Sequence, residues 1–81
     1  MTMAEIVNWC ASKTYEKARH EFDNSGKFSR HKVRFEDGEI YEHTEEFIDS
    51  NNKRVTVKIN GQEVFDGLYS FENFGWKAIK E

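Results

Sequence analysis

The chain has no proline, a single cysteine and five glycines among its 81 residues, and it contains no apolar run approaching the length that crosses a bilayer. Each scarcity excludes something. Without proline nothing marks a rigid linker or a broken helix, so continuous regular structure is expected. Cys10 alone cannot form an intrachain disulfide. With no secretory leader at the N-terminus, the expected compartment is the reducing cytoplasm, and no membrane contact is expected. Neither a phosphate-cradling Gly-rich loop nor a Ser/His/Asp set at usable spacing is present. No cofactor is implied, and an enzyme is the least favoured class, because so small a fold leaves little room for a pocket.

What is present suffices for one domain and one core. Hydrophobic residues make up only 37% of the chain, but 15% are aromatic, and each ring buries more area than an aliphatic side chain, so a folded core is expected rather than disorder. The formal net charge of −3 argues against nucleic-acid binding driven by total charge and leaves local basic patches open.

Thr2 followed by Glu5 has the spacing of a capping box, which starts a helix. Met3, Val7, Cys10, Ala11, Thr14, Ala18 and Phe22 then recur at steps of three and four, with Ile6 and Tyr15 widening the stripe. The spacing predicts one amphipathic helix from Met3 to about Asp23, closed by Gly26 in the left-handed conformation.

The rest alternates with period two. A basic strand candidate, Lys27 to Phe35, and an acidic one, Glu39 to Ile48, flank Glu36-Asp37-Gly38. A two-residue turn at Asp37-Gly38 leaves neither face apolar. A three-residue loop with Gly38 left-handed pairs Phe35 with Glu39, Val33 with Tyr41, His31 with His43 and Lys32 with Glu42, which separates an apolar face from a charged one. Asp49-Ser50-Asn51-Asn52 reads as a further reversal. Lys53 to Ile59 alternates, and Asn60-Gly61 signals a type I′ hairpin that sets Val57 against Val64 and Lys58 against Glu63. The strand from Gln62 to Asp66 then meets Asp66-Gly67, from which Leu68 to Phe74 forms either a fifth strand with an irregular end or a short helix capped at Ser70. The expected fold is α+β: an N-terminal amphipathic helix on a four- to five-stranded antiparallel meander.

Three constellations bear on chemistry. His31 opposite His43, with His20 approaching, is a conceivable metal site, but no second cysteine or tightly spaced ligand pair fixes a geometry, so no metal is assigned. Cys10 sits on the apolar stripe in mid-helix and reads as a small core residue rather than a nucleophile. The strongest feature is basic: Arg30, Lys32 and Arg34 project onto the outer sheet face with Arg54 and Lys58, and Phe28 and Phe65 are expected on the same side. Cations interleaved with exposed rings suit RNA or single-stranded DNA. An ordinary solvated face, with Glu42, Glu46 and Glu63 neutralising the cations in pairs, has the same sequence pattern.

Against that stands an acidic surface. Seven acidic residues lie from Glu36 to Asp49, and Glu36, Asp37, Glu42, Glu46 and Asp49 could engage a basic groove on a larger protein. A small regulatory or inhibitory accessory protein that binds a protein partner is therefore the favoured function, with nucleic-acid binding through the outer face as the alternative. The expected state is a monomer or a homodimer joined at an open Gln62 to Asp66 edge. No family motif is present; the short, acidic, aromatic-rich composition has the general look of small accessory proteins of bacteria and their phages.

Overall fold

A computed structural model describes residues 1–80; Glu81, the last residue of the tail considered above, lies outside the described residues. Thr2 caps the first helix as its spacing requires: its hydroxyl accepts from the Glu5 N–H while the Glu5 carboxylate accepts from the Thr2 N–H. The helix, α1, spans Met3–Ala11 and is therefore only about 13 Å long. Six strands follow, β1 (Arg19–Ser25), β2 (Phe28–Arg34), β3 (Ile40–Asp49), β4 (Asn52–Ile59), β5 (Gln62–Glu72) and β6 (Gly75–Lys80). They form one antiparallel sheet in sequential order. The protein is thus α+β, with more sheet and less helix than the sequence suggests.

The helix expected to reach Asp23 stops at Ala11. Ser12 turns its hydroxyl back onto the Trp9 carbonyl at 2.7 Å and serves as the C-cap. Beyond it Arg19–Ser25 pairs residue by residue with β2, from Arg19 opposite Arg34 to Ser25 opposite Phe28. Pairing satisfies backbone groups of β2 that a longer helix would leave open, and sheet hydrogen bonds outweigh the weak helical pattern there. Gly26 (φ +60°) leads the two-residue turn between these strands instead of closing a helix.

The central hairpin has the expected register. Val33 faces Tyr41, His31 faces His43 and Lys32 faces Glu42. Phe35 N–H donates to the Glu39 carbonyl and Gly38 N–H to that of Phe35, with Gly38 at φ +90°. At the next hairpin Lys58 faces Glu63, but the register shifts beside it and Val57 faces Phe65 rather than Val64. This bulge turns Phe65 inward, where it is 6% exposed, and corrects its expected place on the outer face. Asp66-Gly67 is not a turn. Gly67 lacks a positive φ and is buried opposite Val55, while Asp66 is held by Arg54, so β5 runs on to Glu72 and the chain reverses only at Asn73-Phe74.

One face of the sheet carries the core. Ile6, Val55, Val57 and Phe65 are buried together, with Met3, Cys10, Tyr41, Val64 and Tyr69 packed around them. The buried helix face centres on Ile6, while Val7 is exposed. Burying a side chain such as Ile6 contributes about 1.5–3 kcal/mol. Nearer the β2–β3 loop, Trp9 and Tyr15 pack edge-on against Phe35 at 5.7 and 5.2 Å. Lys13 lies 4.7 Å above the Trp9 ring and pairs with Asp37 and Glu39, fastening the segment after the helix to the hairpin tip. Among the described residues no helix is long and apolar enough to cross a membrane.

Candidate binding surfaces

The outer face, opposite the helix, is a lattice of alternating charge. One row across five strands reads Glu21, Lys32, Glu42, Lys58, Glu63. In the next, Arg30 stands beside Asp23 and reaches Glu42 at 3.4 Å. Arg54 stands opposite Glu46 and donates from Nε to Asp66 at 2.8 Å, with a second contact from its other arm. That interaction holds the Asp66 carboxyl below the usual carboxylate range. Phe28, Arg30, Lys32, Arg34, Arg54 and Lys58 thus share a face, and Phe65 does not. Most of these cations have a carboxylate as cross-strand neighbour, so the face carries little unbalanced charge. Arg34 is the exception, with Arg19 opposite.

The acidic residues do not form a single surface. Glu42 and Glu46 belong to the lattice. Glu36 and Asp37 lie at the β2–β3 loop, where Lys17 and Lys13 face them. Asp49 lies at the opposite end of the sheet, as the last residue of β3 before the turn to β4, with its carboxylate accepting from Asn51 N–H at 2.8 Å and from the Asn52 side chain. These contacts lower its pKa.

The helix-side face is different. Because α1 is short and runs toward the β2–β3 loop, the other end of this face is uncovered. A polar chain leads into it: Tyr41 Oη lies 3.2 Å from His43 Nδ1, His43 Nε2 is 3.2 Å from Glu45 Oε1, and Lys53 Nζ donates to the same oxygen at 3.1 Å. Burial pushes the Tyr41 hydroxyl up to about 12. For Glu45, burial opposes ionisation, but hydrogen bonds from His43 and Lys53 outweigh it and the pKa falls. Lys53 is 8% exposed, with its ammonium 4.4 Å over the Trp76 ring and 5.9 Å from that of Phe47. Such a desolvated cation over an indole is a favourable contact. A cleft of about 190 Å³ opens beside it, between Met3, His43 and Trp76.

From this cleft an aromatic surface runs to the end of the sheet. Phe47 and Phe71 stand 5.9 and 5.4 Å from Trp76. Beyond them, in the β5–β6 turn, Phe74 is 98% exposed with φ +61°. Phe71 N–H donates to Asn51 O at 2.8 Å, which brings the β3–β4 turn with Asp49 alongside. Sequence reasoning missed this group because a turn without glycine gives no signal; the usable hint was Asn73, a residue that tolerates the left-handed region, flanked by Phe71 and Trp76.

His20 Nδ1 and His31 Nε2 are 3.0 Å apart, and Phe22 stacks on His31 at 4.3 Å. Burial and the neighbouring His20 and His43 lower the His31 pKa. Among the described residues no group of three or more His, Cys, Asp or Glu is placed to hold a metal ion. Burial raises the Cys10 thiol pKa, opposite to what a nucleophile needs. No family model, curated protein or solved structure matches this chain significantly.

Proposed function

We propose that this chain is a small non-enzymatic binding module, of regulatory or inhibitory kind, that docks into an apolar pocket of a protein partner with the aromatic end of its sheet. Phe74 is the anchor, Phe71 and Trp76 are its flanks, and Asp49 and Glu72 favour a partner whose pocket has a basic rim. The observation that carries this is Phe74 itself. A phenylalanine at φ +61° with 98% of its surface exposed incurs a backbone cost of about 1–2 kcal/mol without offsetting burial in its own fold. Strain of that kind concentrates where a side chain is held out for use, and exposed aromatic anchors dominate interface energetics. Nucleic acid is the less favoured ligand, because the outer-face cations are largely matched by carboxylates.

Affinity capture from nuclease-treated extract with the wild type and Phe74→Gly tests the reading. The expected result is a protein retained by the wild type after nuclease and lost with Phe74→Gly, while the variant melts no lower. Retention equal in both, or loss on nuclease treatment, overturns it.

A further inference from the structure

We infer that a second copy of this chain pairs with β1, joining two sheets antiparallel across a two-fold axis at His20. This surface lies on the sheet edge remote from the aromatic turn, and the inference stands independently of the function proposed above. β1 is an edge strand whose seven residues are all exposed. Its outward N–H and C=O groups therefore have no ladder partner within the sheet.

The order of its side chains makes this edge self-complementary. Lys17, Ala18 and Arg19 precede His20, and Glu21, Phe22 and Asp23 follow it. With the axis at His20, Arg19 faces Glu21 of the second copy and Glu21 faces its Arg19. The pairing spans the first three residues of β1, since Lys17 and Ala18 lie before the strand, where Ala18 N–H closes a turn onto the Tyr15 carbonyl. Antiparallel pairing about such an axis keeps each face continuous, so the axis must pass through a residue. Moving it to Glu21 sets that residue against itself, and moving it to Phe22 sets Glu21 against Asp23. The His20 register alone of these three places no two carboxylates opposite each other.

Two features of the chain itself point the same way. Arg19 is opposite Arg34, a like charge, and among the described residues it is in none of the ion pairs. The edge cleft around it, about 120 Å³, sets Arg19, Lys32 and Arg34 against the single carboxylate of Glu21, and Glu21 of the second copy supplies another. On the helix side Phe22 is 69% exposed. In this register the Phe22, His31 and His20 stacks of the two copies meet across the axis at His20.

Sedimentation velocity over a dilution series, with parallel melts to show that each variant is folded, tests the assignment. The wild type is expected to show a reversible monomer–dimer equilibrium that weakens with added salt. Arg19→Glu and Glu21→Arg each create like-charge contacts, and each should raise the dissociation constant by about tenfold or more. An equimolar mixture of the two single variants should recover a heterodimer, and the double variant R19E/E21R should recover the homodimer, because every cross-axis pair is again opposite in sign. A monomer at every concentration, single variants that dimerise like the wild type, failure of the mixture and double variant to recover, or masses beyond a dimer would each overturn it.

Discussion

Two hairpin turns of this sheet have nearly the same backbone and different residues. In Asn60-Gly61 the φ angles are 54° and 82°, and in Asn73-Phe74 they are 49° and 61°. Both are two-residue loops with left-handed residues throughout, the type I′ arrangement that suits the twist of the strands. The first is also stitched into the fold: the Asn60 side chain accepts from Ile40 N–H at 2.9 Å, and Asn60 N–H donates to the Ile40 carbonyl at 2.8 Å. The second has no such tie, for among the described residues the Asn73 side chain is in no hydrogen bond and Phe74 is bare. Where glycine sits, the turn serves the fold. Where phenylalanine sits in the same conformation, the ring is almost fully exposed and the fold gains nothing from it.

Putting phenylalanine into the first turn should give the largest effect. A Cβ added at Gly61 meets nothing within 4 Å, so the loss expected for Gly61→Phe is that of a left-handed residue with a Cβ, about 1–2 kcal/mol. Denaturant midpoints with unchanged slope would show it. A negligible shift would mean that positive φ is cheap in this sheet, removing the argument for Phe74 as an anchor. The reverse exchange, Phe74→Gly, relieves a similar strain but adds freedom to the unfolded chain worth about 0.4–1 kcal/mol, so a net gain of up to about 1.6 kcal/mol is expected. A higher melting temperature is its readout, and a clear loss would indicate that Phe74 packs within its own fold.

The same contrast shows what was legible in the sequence. Asn60-Gly61 announced itself because glycine is the residue such turns prefer, and the opposite charges of Lys58 and Glu63 agreed with the register. Gly38 with the alternation of Val33, Phe35 and Tyr41 located the central hairpin for the same reason. Asn73-Phe74 carries its turn without that signal. The bulge beside Val57 was equally silent, since either Val64 or Phe65 satisfies an apolar position, and only packing under Ile6 selects Phe65. Residues 12–23 misled in another way: steps of three and four between Cys10, Thr14, Ala18 and Phe22 arise by chance across the end of α1, a loop and an exposed strand. On the outer face Glu42, Glu46 and Glu63 are legible as partners of the cations, whereas Glu21 comes from a strand whose residues read as helix and Asp66 reaches Arg54 only because the bulge shifts its register.

The asparagines sharpen the comparison on a smaller scale. Asn60→Ala removes the acceptor for Ile40 N–H and should cost about 0.5–1.5 kcal/mol, beyond whatever left-handed preference alanine loses. Asn73→Ala loses only the preference. The difference between the two melts isolates the hydrogen bond, and equal losses would show that Asn60 acts through its backbone alone.

The third turn at issue, Glu36-Asp37-Gly38, answers to pH where the asparagine turns do not. Asp37 Oδ1 accepts from Glu39 N–H at 3.0 Å and Oδ2 from Lys13 Nζ at 2.9 Å. The backbone donor first, and Lys13 second, hold its carboxyl below the ordinary value. A carboxyl whose pKa is depressed on folding contributes stability that is complete above its unfolded value, about 3.9, and is lost as pH falls through the folded value. The group is well exposed, so the contribution is small and salt-sensitive. The stability gap between wild type and Asp37→Asn should therefore be open near neutrality and close as pH approaches about 2. Over the same range the Glu39 amide resonance should move with the Asp37 titration, while the Gly61 amide, in a turn without an ionisable side chain, stays still. A gap that persists at low pH would mean that the amide of asparagine lacks some shape or contact independent of charge. A Gly61 amide that titrates in step with Glu39 would mean that the two turns at this end of the sheet move as one body and differ less than their residues suggest.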